Sequence, residues 1–269
     1  MNAWRVKSCL VRGAGRYLQG RKILLIWMVI LLSGCGRIQA ARLFAPTWFG
    51  FVEIAEGVFV DESMPSTQRA NLLETLHAAR GRVSAFFGRL KGKPDIFACS
   101  TEACFVSNGG ITAKGNAYGS SMALLSPRGL DVVTLSHELT HIELSSRVGD
   151  FQTWRAIPPW FDEGLAVLVS QDPRYAVEMW LRATENGRRA PQLMSLGDAV
   201  PWRNWQMSYG TARHAVGEWY SRVGSKGLLP LIRELKRGKE FDAVFKASDP
   251  GSRLSNLPLR RSVLTSRIP

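Results

Sequence analysis

The chain has 269 residues, 35 Lys and Arg against 22 Asp and Glu, a formal net charge of +13, and 45% hydrophobic residues. Six basic residues and no acidic ones precede Cys35, so the part beyond that point carries 29 basic against 22 acidic residues, a net +7. That moderate excess suits an anionic membrane surface or cell-wall polymers; no nucleic-acid motif accompanies it, and no repeat, low-complexity tract or long linker divides the chain.

The N-terminal flank holds Arg5, Lys7, Arg12, Arg16, Arg21 and Lys22 with no acid. Ten apolar residues follow, at positions 23–32. A basic region followed by a short apolar run reads as a secretory signal and is too short for an ordinary membrane-spanning helix. Leu32-Ser33-Gly34-Cys35 resembles the bacterial lipobox. The resemblance implies that residues 1–34 are a lipoprotein signal peptide and that Cys35 is lipidated, anchoring the protein to a membrane. Gly36, rather than Asp, after Cys35 implies the outer membrane, facing the periplasm. Cys9 lies in the leader, which leaves Cys99 and Cys104 for the mature domain. An oxidising compartment lets them pair across a short loop, and two thiols alone make a poor zinc site.

About 235 residues remain, enough for a substantial core. Residues 53–61, with Val58, Phe59 and Val60, read as a strand. Leu72, Leu73, Leu76, Val83, Phe86 and Phe87 recur at helical spacing from Pro65 to Gly88. Residues 94–99 read as a second strand, 107–119 as a Gly- and Asn-rich loop with a short strand at most, and 121–126 as a third strand. Asp131 is the predicted N-cap of a helix running to about Arg147. Further helices are predicted over 160–170, 173–186, 209–223 and 227–237, and the stretch 248–269 reads as poorly ordered. The order predicts an α+β fold. A strand-rich lobe occupies 35–150, with a small mixed sheet and a final metal-site helix, and a mostly helical lobe occupies 151–269. His77, in the first helix, reads as structural.

His137-Glu138-Leu139-Thr140-His141 reads H-E-x-x-H. Residues four apart share a helix face, so His137 and His141 can turn to one metal ion. Glu138 beside them is placed to act as general base on water held at that ion. A catalytic zinc site takes three protein ligands and one open position. The metzincin pattern needs Gly at 144 and His at 147, where this chain has Leu144 and Arg147, so that class is excluded. Trp160-Phe161-Asp162-Glu163-Gly164-Leu165-Ala166 supplies acids on the next helix. Glu163 is the expected third ligand, 22 positions after His141, and Asp162 is the alternative. The bland readings are two core histidines and a first-turn acid favoured by its helix dipole.

W-x-x-E-G-L-A after H-E-x-x-H resembles the gluzincin zinc metallopeptidases, in particular their compact, M1-related, peptidase MA-like members. The likeness runs over about 124–170, more weakly to 223. It implies a zincin-like fold, one zinc ion held by His137, His141 and Glu163, and peptide or protein substrates. It also implies a transition-state donor on a later helix, for which Tyr209 is the first choice and His214 the second; a packed aromatic is the alternative for Tyr209. In that family an edge strand before the metal helix pairs with extended substrate, and residues 121–126 occupy that place, as an edge strand or an ordinary core strand. No G-x-M-E-N segment is present, so exopeptidase action is not supported. The expectation is a membrane-anchored zinc endopeptidase of the bacterial cell envelope. A cell-wall amidase would use the same metal chemistry, and the alternative from another class is an inactive lipoprotein of the same fold acting as an envelope adaptor or chaperone.

Overall fold

Gly57 turns the first apolar run back on itself. The computed structural model describes residues 45–193 and 205–249. In it Gly57 has φ 68°, a left-handed conformation that glycine enters without a Cβ penalty. It separates β1 (Phe51–Ala55) from β2 (Val58–Asp61), which pair antiparallel. The single strand predicted over 53–61 is thus two arms of a hairpin. Helix α1 (Ser66–Phe87) follows, burying Leu72, Leu76, Ala79, Val83 and Phe87 along one stripe, the spacing of a helix packed on one side. Its end at Gly88 leads into β3 (Asp95–Ala98), parallel to β2.

A short helix, α2 (Glu102–Ser107), stands in a stretch with no such prediction. The Thr101 hydroxyl caps it, accepting the Cys104 N–H at 3.1 Å, and a disulfide between Cys99 and Cys104 ties it to the end of β3. Then come β4 (Gly115–Tyr118) and β5 (Met122–Leu125), antiparallel to each other, with β5 parallel to β3. The five strands lie in the order β1-β2-β3-β5-β4. Residues 121–126 therefore contribute an interior strand, fully buried, and the edge belongs to β4. The reason is non-local: β5 takes partners on both sides and leaves β4 only one.

Side chains alternate across the sheet. Val58, Val60, Ile96, Ala98, Ala123 and Leu125 join the main core, whereas Phe51, Phe97 and Leu124 are buried apart from it. Against the core face lies α3 (Val132–Val148), which carries the H-E-x-x-H residues. Asp131 caps it, its carboxylate accepting the Thr134 N–H at 2.8 Å. Its other end is pinned by Glu143, which accepts the backbone N–H groups of Lys91 and Gly92 at 2.8–3.0 Å and the Arg147 Nε at 2.5 Å.

The remaining helices are α4 (Asp150–Ala156), α5 (Pro159–Ser170), α6 (Val177–Ala183), α7 (Trp205–Lys236) and α8 (Phe241–Ser248). The helix predicted over 173–186 is a 3-10 turn, Pro173–Tyr175, followed by α6. Inside α7, Gly224 has φ 56°, so two helical pieces meet there, as the separate predictions over 209–223 and 227–237 require. The architecture is α+β with a small mixed sheet. One core cluster runs from the sheet through Leu135, Leu139, Phe161 and Leu165 to Val216, Trp219 and Phe245, so strands and later helices share it. No helix among the described residues is long and apolar enough to cross a membrane. The signal segment 1–34, Cys35 and the stretch 250–269 lie outside the described residues.

Candidate metal centre

Helices α3 and α5 meet where Gly164 lets their neighbour α7 come close: a Cβ on Gly164 would stand 2.5 Å from the Ala212 carbonyl oxygen. Pro158 and Pro159 start α5 at this point, proline being suited to a first helical position. The result brings Glu163 to the two histidines of α3. His137 Nε2 and His141 Nε2 are 3.0 Å apart, and Glu163 Oε2 lies 3.3 Å from the first and 3.7 Å from the second. These three are the group among the described residues able to hold one metal ion.

The triangle fits zinc. Four ligands at about 2.0–2.1 Å in tetrahedral array stand about 3.3–3.4 Å from one another, close to the mean of the three separations. Glu163 Oε2 is buried and receives no well-directed hydrogen bond, a costly state for a carboxylate oxygen unless a cation takes it. The charges agree. Burial alone would push the His141 pKa down, but the carboxylates of Asp162, Glu163 and Glu138 outweigh it and raise the value to about 10. The Glu163 carboxyl is held below its ordinary range by the two imidazoles despite the opposing effect of burial. Such a site attracts positive charge.

Asp162 takes a different place from Glu163. It accepts a hydrogen bond from His141 Nδ1 at 2.7 Å, so Nδ1 carries a proton and Nε2 faces the cluster. It is therefore placed to orient His141 from the side of the imidazole opposite Nε2, as a carboxylate behind a ligating imidazole would. The sequence offers Asp162 only as the alternative to Glu163, and no local pattern marks its contact with His141 Nδ1.

Glu138 is buried beside the cluster. Burial pushes its pKa above the usual carboxylate range, although His137, His141 and the Ala117 N–H pull the other way. Gly115 on β4 leaves room for it, since a Cβ there would lie 2.9 Å from Glu138 Cγ. The Lys114 carbonyl accepts the Ser126 N–H, and Asn116 stands opposite Leu124. By the alternation of an antiparallel ladder, Gly115 and Ala117 turn their backbone groups the other way. That way is a cleft of about 1020 Å³, lined by the cluster, Glu138, β4 and Tyr209.

Tyr209 reaches the cleft from α7, its ring 5.3 Å from that of Tyr175. Burial first, then Glu163, raises its pKa well above that of an ordinary phenol, so it stays protonated. His214 goes elsewhere: its ring stacks on Trp180 at 3.9 Å and it does not line the cleft. His77 is exposed on α1. Tyr175 and the cleft residues of β4 carried no signal in the sequence, because only the folded chain brings them to the histidines. Comparison with protein-family models gives no match, and comparison with curated proteins gives none either.

Proposed function

We propose that the protein is a zinc-dependent metallopeptidase of gluzincin type with a zincin-like fold, cutting within peptide or protein chains. The observation that carries this reading is the meeting of His137 Nε2, His141 Nε2 and a buried Glu163 Oε2 within 3.0–3.7 Å of one another, with the Glu138 carboxylate alongside. A bound zinc ion would lower the pKa of water there to near 7 and polarise the substrate carbonyl. Glu138 takes the proton of the attacking water as the oxygen adds to the carbonyl carbon. It then delivers that proton to the amine nitrogen as the C–N bond breaks. The protonated Tyr209 hydroxyl donates toward the oxyanion. The outward backbone groups of Gly115 and Ala117 hold extended substrate by main-chain hydrogen bonds, the Ala117 N–H being shared with Glu138. The lipobox-like residues before Cys35 support a lipid-anchored place in a bacterial envelope, and Gly36 after it supports the periplasmic side of the outer membrane.

The test is a comparison of full-length wild type with Glu138→Gln. Both are expected to hold one zinc per chain by elemental analysis. Peptide hydrolysis is expected to fall by about 10²–10⁴-fold in the variant. Equal hydrolysis by both proteins, or wild type without zinc, would discard the reading. Zinc in both with no hydrolysis by either points to the adaptor role.

A further inference from the structure

Two aromatic side chains stand unusually open: Trp154 is 81% exposed and Phe151 66%. Scattered apolar residues are ordinary on protein surfaces; what marks this pair is position. Trp154 lines the same cleft as the metal cluster, on α4. Its ring centroid lies 6.2 Å from that of Phe151, within the range in which aromatic rings interact.

The placement of α4 is fixed. Asp150, its first residue, accepts the Ser120 N–H at 2.8 Å and the Ser120 hydroxyl at 3.2 Å. Gly119 packs so close that a Cβ on it would lie 2.8 Å from Asp150 Cγ. Asp150 and Trp154 are four apart and share a helix face. The bond that ties Asp150 to the turn between β4 and β5 therefore also sets where Trp154 stands. Gly119 is two residues beyond Ala117, whose N–H meets Glu138. At about 3.3 Å per residue of extended chain, that is about 7 Å along the strand direction.

We infer that Trp154, backed by Phe151, is a specificity-determining shelf that receives a bulky apolar side chain of an extended peptide, two or three residues from the bond that is cut. The inference rests on the hydrolytic reading above. A peptide lying along β4 passes the shelf as it leaves the Glu138 end of the cleft. Seating an apolar side chain there covers surface that water otherwise wets on both partners.

The test uses zinc-loaded full-length protein in detergent and a synthetic decapeptide library blocked at both ends, with cleavage products read by mass spectrometry. Wild type is expected to favour Phe, Tyr, Leu or Met at one position two or three residues from the cut. In Trp154→Ala the ratio of kcat/KM for a Phe-bearing over an Ala-bearing substrate at that position is expected to fall roughly tenfold; Trp154→Phe should keep most of it. An unchanged ratio in Trp154→Ala overturns the shelf and leaves the peptidase reading standing, as does an equal loss on both substrates. No cleavage by wild type above that of Glu138→Gln overturns both.

Discussion

His141 has separate tasks for its two ring nitrogens. Nδ1 donates a hydrogen bond to Asp162 at 2.7 Å, and Nε2 faces His137 and Glu163. A carboxylate behind a ligating imidazole fixes its tautomer and rotation and raises its basicity, and losing such a partner typically weakens metal binding by about 10–100-fold. Asp162→Ala is therefore expected to weaken zinc binding by about that factor in a chelator competition. Asp162→Asn should recover part of the loss, since its amide oxygen still accepts from Nδ1. Wild-type affinity in Asp162→Ala would remove Asp162 from the site. The histidine pair was legible in the sequence because a spacing of four is a property of one helix. The preference for Glu163 over Asp162 came from the E-G pair of the gluzincin-like stretch, and Glu163 Oε2 does lie with the two histidines; helix spacing alone did not decide it. Consecutive helix residues point about 100° apart, and which of them faces α3 depends on how two helices cross.

At the scale of elements, the glycine of the W-x-x-E-G stretch sets how closely α5 and α7 approach. A Cβ on Gly164 would meet the backbone of Ala212 at 2.5 Å and Val216 Cγ2 at 2.8 Å. Backbone cannot yield as a flexible side-chain end can, so α5 and α7 would have to part. Gly164→Ala is expected to cost about 1–3 kcal/mol, seen as a lowered Tm. Because Glu163 is the adjoining residue, zinc binding should weaken with it. Loss of stability with unchanged zinc affinity would mean that this approach does not set the position of Glu163. The main helices, β3 and β5 could be read from periodicity and caps, which are local. The hairpin at Gly57, the short helices α2 and α4, and the rank of β4 as edge strand could not. The first turns on a single left-handed residue. Each short helix spans two turns or fewer, too little for a periodic signal. Edge position is a matter of which strands find partners.

At the scale of the molecule, the candidate metal site is joined to the core on both sides. His137 and His141 belong to α3, whose Leu135 and Leu139 lie in the main cluster, and Glu163 belongs to α5 beside Phe161 and Leu165 of the same cluster. An ion bound to all three would hold together two helices that must separate when the chain unfolds, so its binding energy adds to global stability rather than to a local loop. Free zinc at 100 times its Kd contributes about 2.7 kcal/mol by mass action. For a unit of about 200 residues, each kcal/mol moves Tm by about 2–4 °C, which gives an expected rise of roughly 5–11 °C over chelator-treated protein. The shift should appear equally in tryptophan fluorescence, through buried Trp160 and Trp219 beside Phe161, and in far-UV circular dichroism. His141→Ala should abolish it at the same zinc concentration. A rise seen by one probe alone would show that α3 and α5 unfold apart from the rest, and the same rise in His141→Ala would place the bound zinc elsewhere on the protein.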